Sequence, residues 1–270
     1  MKLSTRMVVL NSKKYVLDLI FAVIAVAYGL RRLYSLWTGA AIRVQRSLDD
    51  AKADIGFTAN GDLDTVALLA FVGSGNGFVT TWYDQSGNGR HATQTDPARQ
   101  PQIVSNGVIE TQNGLPTLFF DGADFLSFQG VHDQLWSLAV VGRATGTNQG
   151  FVQFGAVNQF GSMFVEAGSY RARPTLSNAA TVPFTAGEIA VLTATYGATQ
   201  TNIWKNGAIG TPTAEGGVAS NAGSFIGVLG TFFPLNGNIS EIIALNGVLF
   251  TTDRQTLERN QGIYFNISVS

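Results

Sequence analysis

Apolar and polar positions fall into three patterns along the chain. The first is a run without alternation. "VLDLIFAVIAVAYGL", Val16 to Leu30, is uninterrupted from Leu19 onward. Successive positions on a helix lie about 100° apart, so a helix from about Tyr15 to Leu36 would be apolar nearly all round at its start. Such a helix must be buried on most sides. The run is shorter than the roughly 20 apolar residues that cross a bilayer. Lys13 and Lys14 precede it, Arg31 and Arg32 follow, and "AYG" resembles a leader cleavage site only loosely. The pattern therefore predicts a buried N-terminal helix ahead of a leader or a membrane anchor.

The second pattern is alternation with turn signals. "AIRVQRS" (Ala41 to Ser47) and "FVTTWYD" (Phe78 to Asp84) read as strands, and from Gln100 onward strand signals recur at short intervals. Asn-Gly pairs punctuate them, starting at Asn60, Asn76, Asn88, Asn106, Asn113, Asn206, Asn236 and Asn246. Asn-Gly accepts the positive φ angles of a type I′ turn, which makes "NIWKNGAIG" the clearest hairpin. The third pattern is helical. "LDTVALLAFVG" predicts a short helix capped by Asp64, and "TTDRQTLERNQGIYF" a closing helix with a Thr252–Gln255 capping box, ending at Gly262. Many evenly spaced strands imply a sandwich or barrel. The organisation expected is a helical arm over residues 1–40 and a β-sandwich over 41–270.

Composition narrows the function classes. Charged residues are only 13% of the chain, about half the usual share, so much of the surface is neutral-polar or covered by other subunits. If one face of the N-terminal helix stays wet, Leu19, Ile20, Phe21, Val23, Ile24 and Val26 would drive association, and a homo-oligomer, a trimer as the working choice, is expected. A net charge of −1 with no basic stripe argues against a nucleic-acid partner. The absence of cysteine removes disulfide scaffolds, zinc ribbons and thiol nucleophiles.

Two motifs carry a family likeness. "LRRLYSLWTGAAIRVQRSLDDAKADIGF" followed by "TTWYDQSGNGRHATQ" resembles the opening of the catalytic domain of α-L-arabinofuranosidase B, over Leu30 to about Gln102. "LPTLFFDGADFLSF", "TNIWKNGAIG" and "GNISEIIALNGVLFTTDRQTLERNQGIYF" are similar to the wider concanavalin A-like, laminin G-like group. The resemblance implies a mainly β fold, a jelly-roll sandwich of two antiparallel sheets with an N-terminal helix and a short C-terminal helix. Stand-alone copies of the pattern also look like structural proteins of tailed phages. The arabinofuranosidases resembled are secreted, contain disulfides and carry a separate sugar-binding domain. This chain has no cysteine and is expected to carry no second domain, and no catalytic residue is carried over.

The candidate chemistry is sparse. Asp84, Gln85, Asn88 and His91 in one loop, with Asp121 and Asp124 in "FDGADF", offer the oxygens of a glycan or calcium site, but turn formation is ranked above ligand binding for both groups. Glycoside hydrolysis needs two carboxyl groups about 5–9.5 Å apart. Glu166 and Glu241 are the glutamates inside convincing strands, and they read as one buried, hydrogen-bonded acid and one exposed edge acid. His91 and His132 are too few for a metal site, and no metal or cofactor is expected. The resulting expectation is a non-enzymatic structural or decoration protein of a phage virion or an extracellular surface. Its partners would be other virion subunits, with a surface glycan as a further one and no membrane. A glycan-binding adhesin module ranks second and an arabinofuranosidase-type hydrolase third.

Overall fold

The apolar run that opens the chain is a strand. The computed structural model describes residues 15–130, 134–155, 161–175, 178–217, 223–230 and 232–270. Within them Val16–Asp18 makes one 3-10 turn and Val23–Gly29 then runs extended. This strand pairs antiparallel with Asn236–Asn246, from Val23 opposite Asn246 to Gly29 opposite Glu241. Both its faces are covered. Val26 and Tyr28 enter the main core, while Ala27 joins a second apolar layer with Leu17, Leu33, Ile243 and Leu257. A strand buried on both faces shows no alternation, so its sequence matches that of a buried helix of equal length. The helix expected from Tyr15 to Leu36 is corrected accordingly, and the described part of the expected arm is a strand of the sandwich itself.

The subunit-contact argument changes with it. Ile20 and Val26 are buried and Leu19 and Ile24 half-buried, whereas Phe21 is 95% and Val23 68% exposed. No helical second face exists to be left wet.

Two antiparallel layers enclose the core. The first runs Val23–Gly29, Asn236–Asn246, Trp136–Ala144, Ile189–Tyr196, Thr201–Lys205. The second runs Lys52–Ile55, Ile42–Arg46, Gly77–Trp82, Ala92–Thr93, Leu126–Gln129, Gly223–Ile226, Gln149–Phe154, Gly161–Glu166, Ser169–Arg173, Ala180–Pro183. Gln102–Ser105 and Leu118–Asp121 bridge the layers at one edge. The mainly β jelly-roll expectation is borne out. Aromatic rings dominate the interior, with Trp136 stacked on Tyr196 at 4.1 Å between centroids and Tyr28 edge-on to Phe128 at 5.5 Å.

Two helices complete the described fold. α1, Thr65–Val72, is capped as expected by Asp64, whose carboxylate accepts from the Ala67 amide at 2.9 Å. α2, Thr251–Phe265, closes the outer face of the first layer, burying Leu257 and Phe265. It has Phe250 rather than a hydroxyl residue at its N-cap, and it runs through Gly262 to a left-handed Asn266. Gly262 serves packing instead of termination, because a Cβ there would lie 2.5 Å from Val269. Three Asn-Gly pairs, at Asn106, Asn113 and Asn206, have positive φ at both residues and make the expected hairpin turns. Asn236–Gly237 instead lies inside the long strand, where a Cβ on Gly237 would meet the Arg143 carbonyl at 2.0 Å.

Gly161 has no such freedom either, since a Cβ there would sit 1.9 Å from the Trp136 ring. Gly161→Ala should destabilise the fold by about 1–3 kcal/mol, the usual cost of overpacking a full interior. An unchanged urea midpoint would show slack in this layer.

Candidate functional site

The loop after Gly77–Trp82 folds back onto the free edge of Val23–Gly29. Asp84 is fully buried, and its Oδ1 accepts from the amides of Ala27 (2.9 Å) and Ser86 (3.0 Å). Its Oδ2 accepts from Ser86 Oγ (2.7 Å) and the Arg90 amide (3.1 Å). A carboxylate has about four lone-pair sites, so Asp84 is saturated by the protein. Gln85 is equally committed, as its Oε1 accepts from the Leu33 amide while Nε2 donates to the carbonyls of Gly29 and Arg31. Asn88 donates to the carbonyls of Ile24 and Ala25, and Arg90 to Ala25. His91 Nδ1 accepts from the Asp84 amide. Together these groups do for one edge what a neighbouring strand would do. The geometry favours a clamp over a ligand site.

Asp121 and Asp124 also form a turn. The Asp121 amide donates to Asp124 Oδ2 at 3.0 Å, and the Ala123 amide to Asp121 Oδ1 at 2.8 Å. This turn borders a cleft of about 590 Å³ lined by Asp96, Arg99, Phe125, Phe225 and Pro234, whereas the first loop, at Gln85–Gly87, borders a smaller one of about 270 Å³ with Tyr34 and Trp37. Burial, reinforced by the Asp121 carboxyl, pushes Asp124 up to about 7 against the pull of the Asp121 amide. Among the described residues no group of three or more His, Asp or Glu could hold a metal ion. His132 lies outside the described residues.

The two strand glutamates are separated by the fold. Glu241 is fully buried in the first layer, where Arg31 grips it with Nε at 2.7 Å and Nη2 at 3.2 Å and Gln261 donates at 3.0 Å. Glu166 ends the strand Gly161–Glu166 on the outer face of the second layer, half-exposed between Arg171 (3.1 Å) and Arg173 (3.2 Å). Arg173 also lies over the Phe164 ring at 4.4 Å, and Phe164 stacks on Phe233. Glu241 is the buried, hydrogen-bonded acid expected, whereas Glu166 is half-exposed on a strand paired on both sides and not on a sheet edge. The two arginines were missed. Their signal was the alternation in "SYRAR", which puts Ser169, Arg171 and Arg173 on one face of the return strand, opposite Glu166, Phe164 and Ser162.

Two outcomes follow from this geometry. Asp84→Ala should lower stability by several kcal/mol, since each buried donor left without a partner costs about 1–3 kcal/mol. A variant of unchanged melting temperature that lost binding of a glycan or calcium would reassign the loop. Asp124, whose folded pKa is raised, favours the native state only while protonated, so its contribution is present below about pH 4 and lost as pH rises to about 7. Urea titrations at pH 4.5 and 7.5 should show this loss in the wild type and a smaller one in Asp124→Asn.

A family model described as the catalytic domain of α-L-arabinofuranosidase B matches residues 22–114. The α-L-arabinofuranosidase B of Aspergillus niger is 43% identical over 68 residues, which are 25% of this chain and 14% of that protein. The match thus spans about a seventh of the relative's length. Among solved structures, a GH54 α-L-arabinofuranosidase soaked with a cyclic sulfate inhibitor overlays 88% of this chain and 62% of its own, with a TM-score of 0.66 at 17% identity. An arabinofuranosidase complexed with arabinofuranosyl-α-1,2-xylobiose overlays the same shares with a TM-score of 0.68 at 18% identity. These matches overturn the expectation of a non-enzymatic virion or decoration protein located on a phage particle, because the similar proteins are glycoside hydrolases and, in the curated case, fungal. The chain resembles the catalytic domain of α-L-arabinofuranosidase B in sequence over residues 22–114 and shares its fold over most of the sandwich.

Proposed function

We propose that the chain is a glycoside hydrolase of the α-L-arabinofuranosidase type, with its chemistry on the outer face of the second layer beside Glu166. The observation that carries this reading is the match of residues 22–114 to a catalytic-domain model, in a chain whose sandwich overlays arabinofuranosidase structures over 88% of its length. Physical support comes from the face itself. Glu166, Arg171 and Arg173 are charged side chains on regular strands, and Phe164 and Phe233 give an apolar floor beside them. Strand-borne groups are held more precisely than loop-borne ones, which suits a carboxylate that must meet an anomeric carbon.

Glu166 takes the role of the charged carboxylate, as nucleophile or base. The two guanidinium groups orient it by charge-assisted contacts of one nitrogen each to the same oxygen, Oε2, and Arg171 Nε also donates to the Glu166 carbonyl. Asp124 has the raised pKa of a general acid, but the strands Gly223–Ile226 and Gln149–Phe154 intervene between Leu126–Gln129, the strand its turn leads into, and that of Glu166. Three strand spacings are about 14 Å, beyond the 5–9.5 Å of an acid–carboxylate pair around one glycosidic bond. The cleft at Asp124 therefore serves a more distant sugar of the substrate. Glu241 takes no part, since Arg31 and Gln261 occupy it.

The test is release of nitrophenol from 4-nitrophenyl α-L-arabinofuranoside. Wild-type chain should hydrolyse it, and Glu166→Gln should lower kcat by at least about 100-fold with little change in melting temperature. Glu241→Gln should instead lose about 3–5 kcal/mol of stability, because it strands a buried guanidinium. An inert wild type, or a fully active Glu166→Gln, would defeat the reading.

A further inference from the structure

A second cleft, of about 300 Å³, opens on the opposite layer, between the loop around Asn60–Asp62 and the C-terminal half of α2. We propose that it is a non-catalytic carbohydrate site that takes the hydroxyl edge of one neutral sugar residue. The proposal is independent of the hydrolase reading.

Its lining is the reason. Tyr15 and Tyr264 supply rings, Asn60 and Asn260 amides, Asp62 a carboxylate and Arg32 a guanidinium. Arg31, also in the wall, is neutralised by Glu241 and lies over the Tyr264 ring at 4.3 Å. Arg32 has no carboxylate partner among the described residues and is held over Tyr15 and Phe57 at 5.7 and 5.6 Å. The Tyr264 hydroxyl donates to Asp62 Oδ1 at 2.9 Å, which leaves that exposed carboxylate with acceptor capacity to spare. Two atoms of lining residues, the donor Arg32 Nε and the acceptor Asn260 Oδ1, are closed to solvent and have no hydrogen-bond partner.

Charge and hydrogen-bond type together choose the ligand class. Arg31, Arg32, Asp62 and Glu241 sum to zero, so the cleft has no net pull on an ion. A phosphate or carboxylate would satisfy Arg32, but it brings no donor for an amide oxygen and it faces Asp62. A metal ion would face two guanidinium groups. A hydroxyl both donates and accepts, and a sugar presents adjacent hydroxyls at a spacing that suits planar Asp, Asn and Arg groups. Its C–H face packs on a tyrosine ring. The volume lies at the small end of ligand sites, fitting a monosaccharide unit rather than a long chain.

The test is native gel electrophoresis of the full chain in gels holding soluble unsubstituted xylan, mixed-linkage glucan, polygalacturonate or no polymer. At least one of the two neutral polymers should retard the wild type. Glu166→Gln should be retarded equally, and the loss in the cleft variants is what separates this cleft from the proposed catalytic face. Arg32→Lys, which keeps the charge but loses the planar fork, and Asp62→Asn should weaken retardation by about tenfold or more in affinity, with melting temperatures near the wild type. The proposal fails if neither neutral polymer retards the wild type. It fails if both cleft variants are retarded like the wild type, or if Glu166→Gln alone abolishes the effect. It fails also if only polygalacturonate binds and salt removes that binding, since the cleft would then be an anion patch.

Discussion

Everything in this sandwich leans on how the free edge of one strand is satisfied. Among the described residues Val23–Gly29 has a strand partner on one side only, Asn236–Asn246. Its other edge would expose backbone groups inside the protein, where each unpaired donor or acceptor is costly. Asp84, Gln85, Asn88 and Arg90 supply the missing partners from a single loop, through the Ala27 and Leu33 amides and the carbonyls of Ile24, Ala25, Gly29 and Arg31. With that edge closed, the strand can be buried on both faces, with Tyr28 toward the core and Ala27 toward the layer beneath α2. The Tyr28 hydroxyl closes the same circuit by donating to the Arg90 carbonyl.

The clamp explains the shape of the likeness to arabinofuranosidases. The match over residues 22–114 contains both halves of it, the strand and the loop. Glu166, Arg171 and Arg173 lie beyond that range, in the part related by fold alone. The range similar in sequence thus holds a scaffold whose buried polar groups are hydrogen-bonded to its own backbone. The face offered for chemistry sits on strands that can vary so long as they pair, and fold does not fix function on such a face.

The same physics decides what could be read from the sequence. Strands with one wet face were legible, as in Ile42–Arg46, and so were hairpins whose turns need positive φ, as at Asn206–Gly207. Asp64 signalled α1 because a cap is a local interaction. Val23–Gly29 was not legible as a strand, because burial on both faces erases the alternation that tells strand from helix. Gly262 misled for a related reason, since its role is to admit Val269 and that contact comes from tertiary packing. At the candidate site, the separate fates of Glu166 and Glu241 could be guessed, but not their partners. Arg31 reaches Glu241 across 210 residues, a distance at which no local pattern speaks.

The most direct measurement of the clamp is residue-resolved hydrogen exchange in the wild type and in Asp84→Ala under conditions where both are folded. The Ala27 amide, which Asp84 alone holds on that edge, should be strongly protected in the wild type and should lose most of its protection in the variant. The Leu33 amide, held by Gln85, should follow in part, while amides deep in Ile189–Tyr196 keep their protection. Unchanged protection at Ala27 in Asp84→Ala would contradict the account, because the loop would then not be what closes the strand's free edge.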